Sequence, residues 1–275
     1  MRANAGQDVT SSFHRRVSRL AGRVARKALR ELRALLEPSS VQRLRRRFIL
    51  PIRNVMLWGK PVTVHAAGYI IRLFPQGAAA AAIWSGADYQ KSKLVLLTRM
   101  LEADSVFLDI GADVGIFSLF ASKVSPTGKI FALESDKAAF DLLSRNTQLN
   151  AARNVTLVHV APVDYLRSAT DSHIDFMKVD AAGAELLVLE AASNILQRPD
   201  APILLYEAFT SLTRTYDYHP VEIFWLLQRH GFRFFTLDSN SGKLTIPQAS
   251  RVYDSTVLAA KPTHPAYSKI EELTR

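Results

Sequence analysis

Asp109, Gly111, Gly115 and Glu134 are the residues whose types and spacing carry chemistry. The stretch VFLDIGADVG, 106–115, sets an apolar run, an acid and two glycines ahead of the amphipathic run IFSLFASKV, which reads as a buried strand turning sharply into a helix. Gly111 and Gly115 lack Cβ, so the turn that carries Ala112 and Asp113 between them can take positive φ at the glycines and press against a ligand. The first N–H groups of the next helix face the same place. Crevices beyond strand ends are where open α/β sheets bind ligands. Asp109, at the strand's carboxyl end, supplies negative charge.

Spacing narrows the ligand. G-x-x-x-G is not the G-x-G-x-x-G that cradles a pyrophosphate, and G-x-x-x-x-G-K-[ST] is absent, so dinucleotides and nucleoside triphosphates lose ground. An acid facing the glycines suits a cation better than a phosphate. Glu134 closes the next strand, KIFALE, 23 residues beyond Gly111, where an acid accepts hydrogen bonds from both ribose hydroxyls. Together these features point to S-adenosylmethionine.

The stretches DIGADVGIFSLFASKVSPTGKIFALESD, FDLLSRNTQLNAARNVTLV, IDFMKVDAAGAELLVLEAA and PILLYEAF resemble the FkbM family of S-adenosylmethionine-dependent methyltransferases, from about Tyr89 to Lys261. The resemblance implies a class I methyltransferase (Rossmann-like) fold and O-methylation of a hydroxyl on a sugar, glycolipid or related secondary metabolite. It also implies cofactor contacts at Asp109, Gly111, Gly115 and Glu134, in agreement with the residues themselves. The chain departs from the family pattern in several places. Asp113 stands where the family usually has Asn, and Ser135 where a proline follows the ribose acid. Asp180-Ala-Ala182-Gly183-Ala-Glu185 stands for D-x-E-G-x-E, and the segment at 160–165, which would help wall the acceptor pocket, is shortened.

Methyl transfer is an in-line displacement whose leaving sulfur needs no acid, so orientation supplies most of the rate and a base taking the hydroxyl proton adds to it. Asp180, at a strand's carboxyl end, is the leading base candidate, against an N-cap role. Glu185 follows on the next helix's first turn, where an acid is also favoured by the dipole. Glu207 ends the fifth strand and either faces the acceptor or sits in an ion pair. Tyr89 borders the cofactor or the surface. His159 reads as a packed imidazole within the third strand, and the histidine spacing indicates no zinc site.

The elements that must position these residues alternate along the chain. A hairpin at 61–74 leads in, strands and helices then alternate, and two closing strands, FRFFTLD and STVLAAK, complete a doubly wound sheet of seven strands. The organisation expected is a basic extension at 1–50, a hairpin and linker at 51–88, the methyltransferase domain at 89–265 and a tail at 266–275.

The net charge of +10 is uneven. Residues 1–60 hold 15 Lys and Arg against three acids, while the remainder holds 20 against 22. Between Ser12 and Glu37, apolar residues recur every three or four positions among arginines, a cationic amphipathic helix expected to pack on the domain or to meet an anionic membrane surface within 12–47. Cysteine is absent, which fits a reducing, cytoplasmic setting, and no apolar run is long enough to span a bilayer. A nucleic-acid methyltransferase is a rival. It lacks an N-P-P-[FYW] or D-P-P-[YW] turn, a cysteine nucleophile and interleaved stacking aromatics. A degenerate, binding-only homologue is the other, motivated by Ala182.

Overall fold

A computed structural model describes residues 60–66, 68–75, 90–168, 173–239, 241–247 and 252–274. The extension at 1–50, with its membrane-facing expectation, and Tyr89 lie outside the described residues.

The strand–turn–helix stretch folds as its pattern requires. Strand β3 (Val106–Ile110) is apolar and almost wholly buried, and helix α2 (Ile116–Val124) sinks Ile116, Phe117, Leu119 and Ala121. Around β3 are arranged β4 (Lys129–Leu133), β5 (Val155–Val158), β6 (Phe176–Val179) and β7 (Ile203–Ala208), all parallel. Strand β10 (Ser255–Ala260) inserts antiparallel between β7 and β8 (Arg233–Leu237). The order is β5-β4-β3-β6-β7-β10-β8-β9, where β9 is only Leu244–Thr245. The seven expected strands are thus present, and the two-residue β9 adds an edge. Two parallel halves wound outward from β3 and β6, closed by an antiparallel pair, are the class I methyltransferase arrangement, and the reversal between β3 and β6 opens the crevice.

Both faces are covered. On one, Phe107, Phe176, Leu205 and Leu258 pack with α1 (Lys91–Met100), α2 and α9 (Tyr267–Thr274). On the other, Leu108, Met177, Leu204 and Val257 pack with α4 (Pro162–Ser168), α5 (Glu185–Ala191) and α8 (Val221–Arg229), which follows the single turn α7 (Thr210–Thr213). Within the tail set apart by sequence at 266–275, Tyr267–Thr274 form α9, whose Ile270 is fully buried in the first of these cores. After α5, Ala192 breaks the helix and the single turn α6 (Ser193–Leu196) follows.

The hairpin of β1 (Val62–Ala66) and β2 (Tyr69–Leu73) buries Tyr69, Ile71 and Leu73, each apolar side chain contributing about 1.5–3 kcal/mol. Helix α3 (Lys137–Leu149), capped by Asp136 on the Ala139 N–H, supplies its hydrogen bonds in an unusual way. Asn150 accepts from the Ile70 N–H and donates to its carbonyl, and Asn146 does the same for Arg72. Side chains four apart on a helix match backbone groups two apart on a strand, so two amides act as a partner strand for the edge of β2.

The packed imidazole expected at His159 is corrected. Edge strand β5 ends at Val158, and His159 is exposed, stacked on Phe140 at 4.8 Å with Nε2 3.1 Å from the Ser135 carbonyl.

Candidate functional site

The turn from β3 to α2 takes the expected shape. Gly111 has φ 69° and Gly115 φ 91°, and a Cβ at Gly111 would lie 1.8 Å from the Asp180 carbonyl oxygen, inside any tolerable contact. A Cβ at Gly115 would overlap the end of Leu143 at 2.6 Å. Between them Asp113 is also left-handed, at φ 49°, a conformation Asp and Asn tolerate better than most residues. The Gly111 and Ala112 N–H groups both donate to the Leu133 carbonyl, which locks the turn to the tip of β4.

Glu134 follows that tip and turns toward the glycines. It is 8% exposed, and its carboxylate accepts from the Asp113 N–H at 2.9 Å and the Asp136 N–H at 2.8 Å. Each oxygen keeps a further lone pair. Beside it the Asp113 carboxyl is pushed above the usual carboxylate range, first by burial and then by Glu134. Ser135 is exposed, and its carbonyl is engaged by His159. The crevice floor is free of side chains at Gly111 and Gly115 and rimmed by carboxylates at Asp113, Glu134 and Asp180, a donor set that fits the ribose and positive charge of S-adenosylmethionine.

Asp109 requires a correction. Sequence placed its charge at the disposal of a cation, but it is fully buried beneath the turn, where Ser118 Oγ donates at 2.6 Å and Lys178 Nζ lies 3.1 Å from Oδ1. The parallel register sets Asp109 directly opposite Lys178, so the acid is neutralised internally and shapes the crevice from below.

At the tips of β6 and β7 the three candidate acids part company. Asp180 is half-buried with its side chain 39% exposed, 3.7 Å from Lys178 Nζ. It does not cap α5, whose N-terminus has no side-chain cap. Glu185 is 1% exposed and accepts from the Ala181 N–H at 2.9 Å and the Gly183 N–H at 3.2 Å, with the Tyr218 hydroxyl 3.5 Å away. Burial pushes its carboxyl up. Its carboxylate holds the loop after β6, where Ala182 has φ 51° and Gly183 φ 103°. Gly183 is pressed against the Leu212 carbonyl, 2.2 Å from where a Cβ would stand, and its own carbonyl accepts from Tyr218 at 2.8 Å. Glu207 forms an ion pair with Lys93 of α1, the second of the two readings of that residue. Asp180 is therefore the acid of the three that reaches the crevice.

Sequence reasoning missed Lys178 and Asn146. Lys178 was signalled by a lysine inside the apolar run FMKV, two residues before an acid. Asn146 also donates to the Val114 carbonyl at 2.8 Å, joining the glycine turn to the hairpin, and nothing in its local pattern marks it.

Fold and crevice define a class I methyltransferase domain. The model of the methyltransferase FkbM domain matches residues 108–234. The methyltransferase sdnD of Sordaria araneosa is 40% identical over 52 residues, 19% of this chain and 20% of the relative, so the match spans about a fifth of that curated protein. Among solved structures, precorrin-6y C5,15-methyltransferase from Geobacter metallireducens GS-15 is 24% identical with a TM-score of 0.47, covering 62% of this chain and 89% of that one. M. jannaschii TYW2 in complex with AdoMet is 14% identical with a TM-score of 0.48, covering 74% and 86%. Among the described residues no helix is long and apolar enough to cross a membrane.

Proposed function

We propose that the protein is an S-adenosylmethionine-dependent O-methyltransferase acting on a hydroxyl of a sugar, glycolipid or related secondary metabolite. The observation that carries the reading is Glu134, a carboxylate fixed by two backbone N–H groups at the tip of β4 and facing a floor without side chains at Gly111 and Gly115. Its remaining lone pairs would accept from the two ribose hydroxyls, and Ala112, Asp113 and Ser135 would border the nucleoside. Asp113, Glu134 and Asp180 favour a positively charged occupant over a neutral one. When bound, the cofactor supplies an electrophilic methyl group.

The remaining work falls to the chain. Crevice walls would orient the acceptor hydroxyl toward that methyl group, an effect worth about 7–11 kcal/mol in well-aligned systems. Asp180 accepts the hydroxyl proton. Glu185 acts through the loop it holds, setting the direction of residues 181–184, and Glu207 with Lys93 fixes α1 against the tip of β7. Neither touches the reacting atoms.

Titration calorimetry with S-adenosylhomocysteine tests the reading without knowledge of the acceptor. The expected result is one site per chain, and absence of binding would remove it. Transfer of labelled methyl from S-adenosylmethionine to a panel of glycosides, glycolipids and hydroxylated metabolites then tests the acceptor class. Binding without transfer to any of them would favour a binding-only homologue, the alternative raised by Ala182. The basic extension is assigned reversible docking on anionic lipid, and equal sedimentation with anionic vesicles of the full chain and a chain starting at Pro51 would end that assignment.

A further inference from the structure

A buried lysine within a parallel sheet is costly unless its charge is used. Lys178 is 4% exposed, and its ammonium meets four structural parts at once. Nζ lies 3.1 Å from Asp109 Oδ1 on β3. It donates to the Gly111 carbonyl at 3.0 Å, in the glycine turn itself. It stands 3.7 Å from Asp180 Oδ2 at the tip of its own strand, with the Phe117 ring 5.0 Å away on α2. Neutralising Asp109 requires only the first contact. The second reaches past that acid to a carbonyl whose peptide plane is fixed by the positive φ of Gly111, and the third aims the same charge at the open carboxylate of the crevice.

We propose that Lys178 is a positioning residue that clamps the cofactor-binding turn through the Gly111 carbonyl and directs Asp180 toward the crevice. This rests on the functional reading above. The Gly111 and Ala112 N–H groups tie the turn to β4, and the Asn146 amide holds the Val114 carbonyl from α3. Lys178 is the side chain that reaches the Gly111 carbonyl from β6. Strand β6 thus contributes to the cofactor half of the site as well as to the acceptor half.

Lys178→Met alone would strand a buried carboxylate, so the test pairs it with Asp109→Asn, which removes both charges. A second pair, Asp109→Asn with Lys178→Gln, restores a neutral donor in reach of the Gly111 carbonyl. Melting temperature reports the fold of each, and calorimetry with S-adenosylhomocysteine reports the turn. The expected result is that both pairs fold, the methionine pair binds at least about tenfold more weakly than the wild type, and the glutamine pair recovers most of that loss. Wild-type affinity in the methionine pair would overturn the proposal, reducing Lys178 to a counter-charge for Asp109. Equal weakness in the two pairs, or failure of both to fold, would overturn it as well, since neither depends on a donor to Gly111. Failure of the wild type to bind would count against the functional reading, which this comparison leaves distinct.

Discussion

At the tips of β3 and β4 each group is committed by close contact: Gly111 against Asp180, Gly115 against Leu143, Glu134 between two N–H groups, Asp109 beneath under Lys178. At the tips of β6 and β7 the carboxylates are sorted instead. Glu185 is consumed by its own loop, Glu207 by Lys93, and Asp180 remains open beside an exposed Ala182 in left-handed conformation. The difference teaches that the cofactor side is set by backbone geometry that tolerates few residues. The tips of β6 and β7 leave one acid, Asp180, open to the crevice.

That contrast can be broken from either half. The largest effect is expected from Asp180→Asn, which should lower turnover by about 10²–10⁴-fold at saturating cofactor while leaving affinity for S-adenosylhomocysteine unchanged. A wild-type rate would remove Asp180 as the base. Next comes Gly111→Ala, where left-handed strain of about 1–2 kcal/mol adds to overlap with the Asp180 carbonyl costing about 1–3 kcal/mol. Urea denaturation should show the loss, and an unchanged midpoint would mean that β3 and β6 do not approach as described. Glu134→Ala removes charge-assisted ribose bonds worth about 1.5–3 kcal/mol, seen as weaker binding of S-adenosylhomocysteine.

Smaller effects sharpen the acceptor half. Ala182→Gly relieves a left-handed alanine and should raise stability by about 0.5–1 kcal/mol in the same denaturation measurement. Glu185 titrates above its unfolded range, so its contribution to stability is fully present below that range and is lost as pH rises through its raised folded value. Glu185→Gln keeps an acceptor for the Ala181 and Gly183 N–H groups. It should flatten the fall in stability with rising pH, and an unaltered slope would show that the buried charge is not Glu185.

How much was legible follows the same division. The strand, glycine turn and helix were readable because apolar runs, periodicity and Gly spacing are local, and Glu134 was readable because the next strand must end where it does. The wrong reading of Asp109 came from register: only the pairing of β3 with β6 brings Lys178 opposite it, and pairing between strands so distant in sequence is not written in either one. Asn146 and Asn150 were invisible for a related reason, since a helix offering side-chain amides to a strand edge leaves no periodic trace. His159 was misplaced because β5 is the sheet edge and ends at Val158, just before it.

The central claim is that a sulfonium nucleoside lies across the tips of β3 and β4. A crystal structure of the chain with S-adenosylhomocysteine tests it most directly. Both ribose hydroxyls are expected on the Glu134 carboxylate, with the amino-acid end over the Gly111–Gly115 turn. A ribose bound elsewhere, or a Glu134 carboxylate turned away from it, would contradict it.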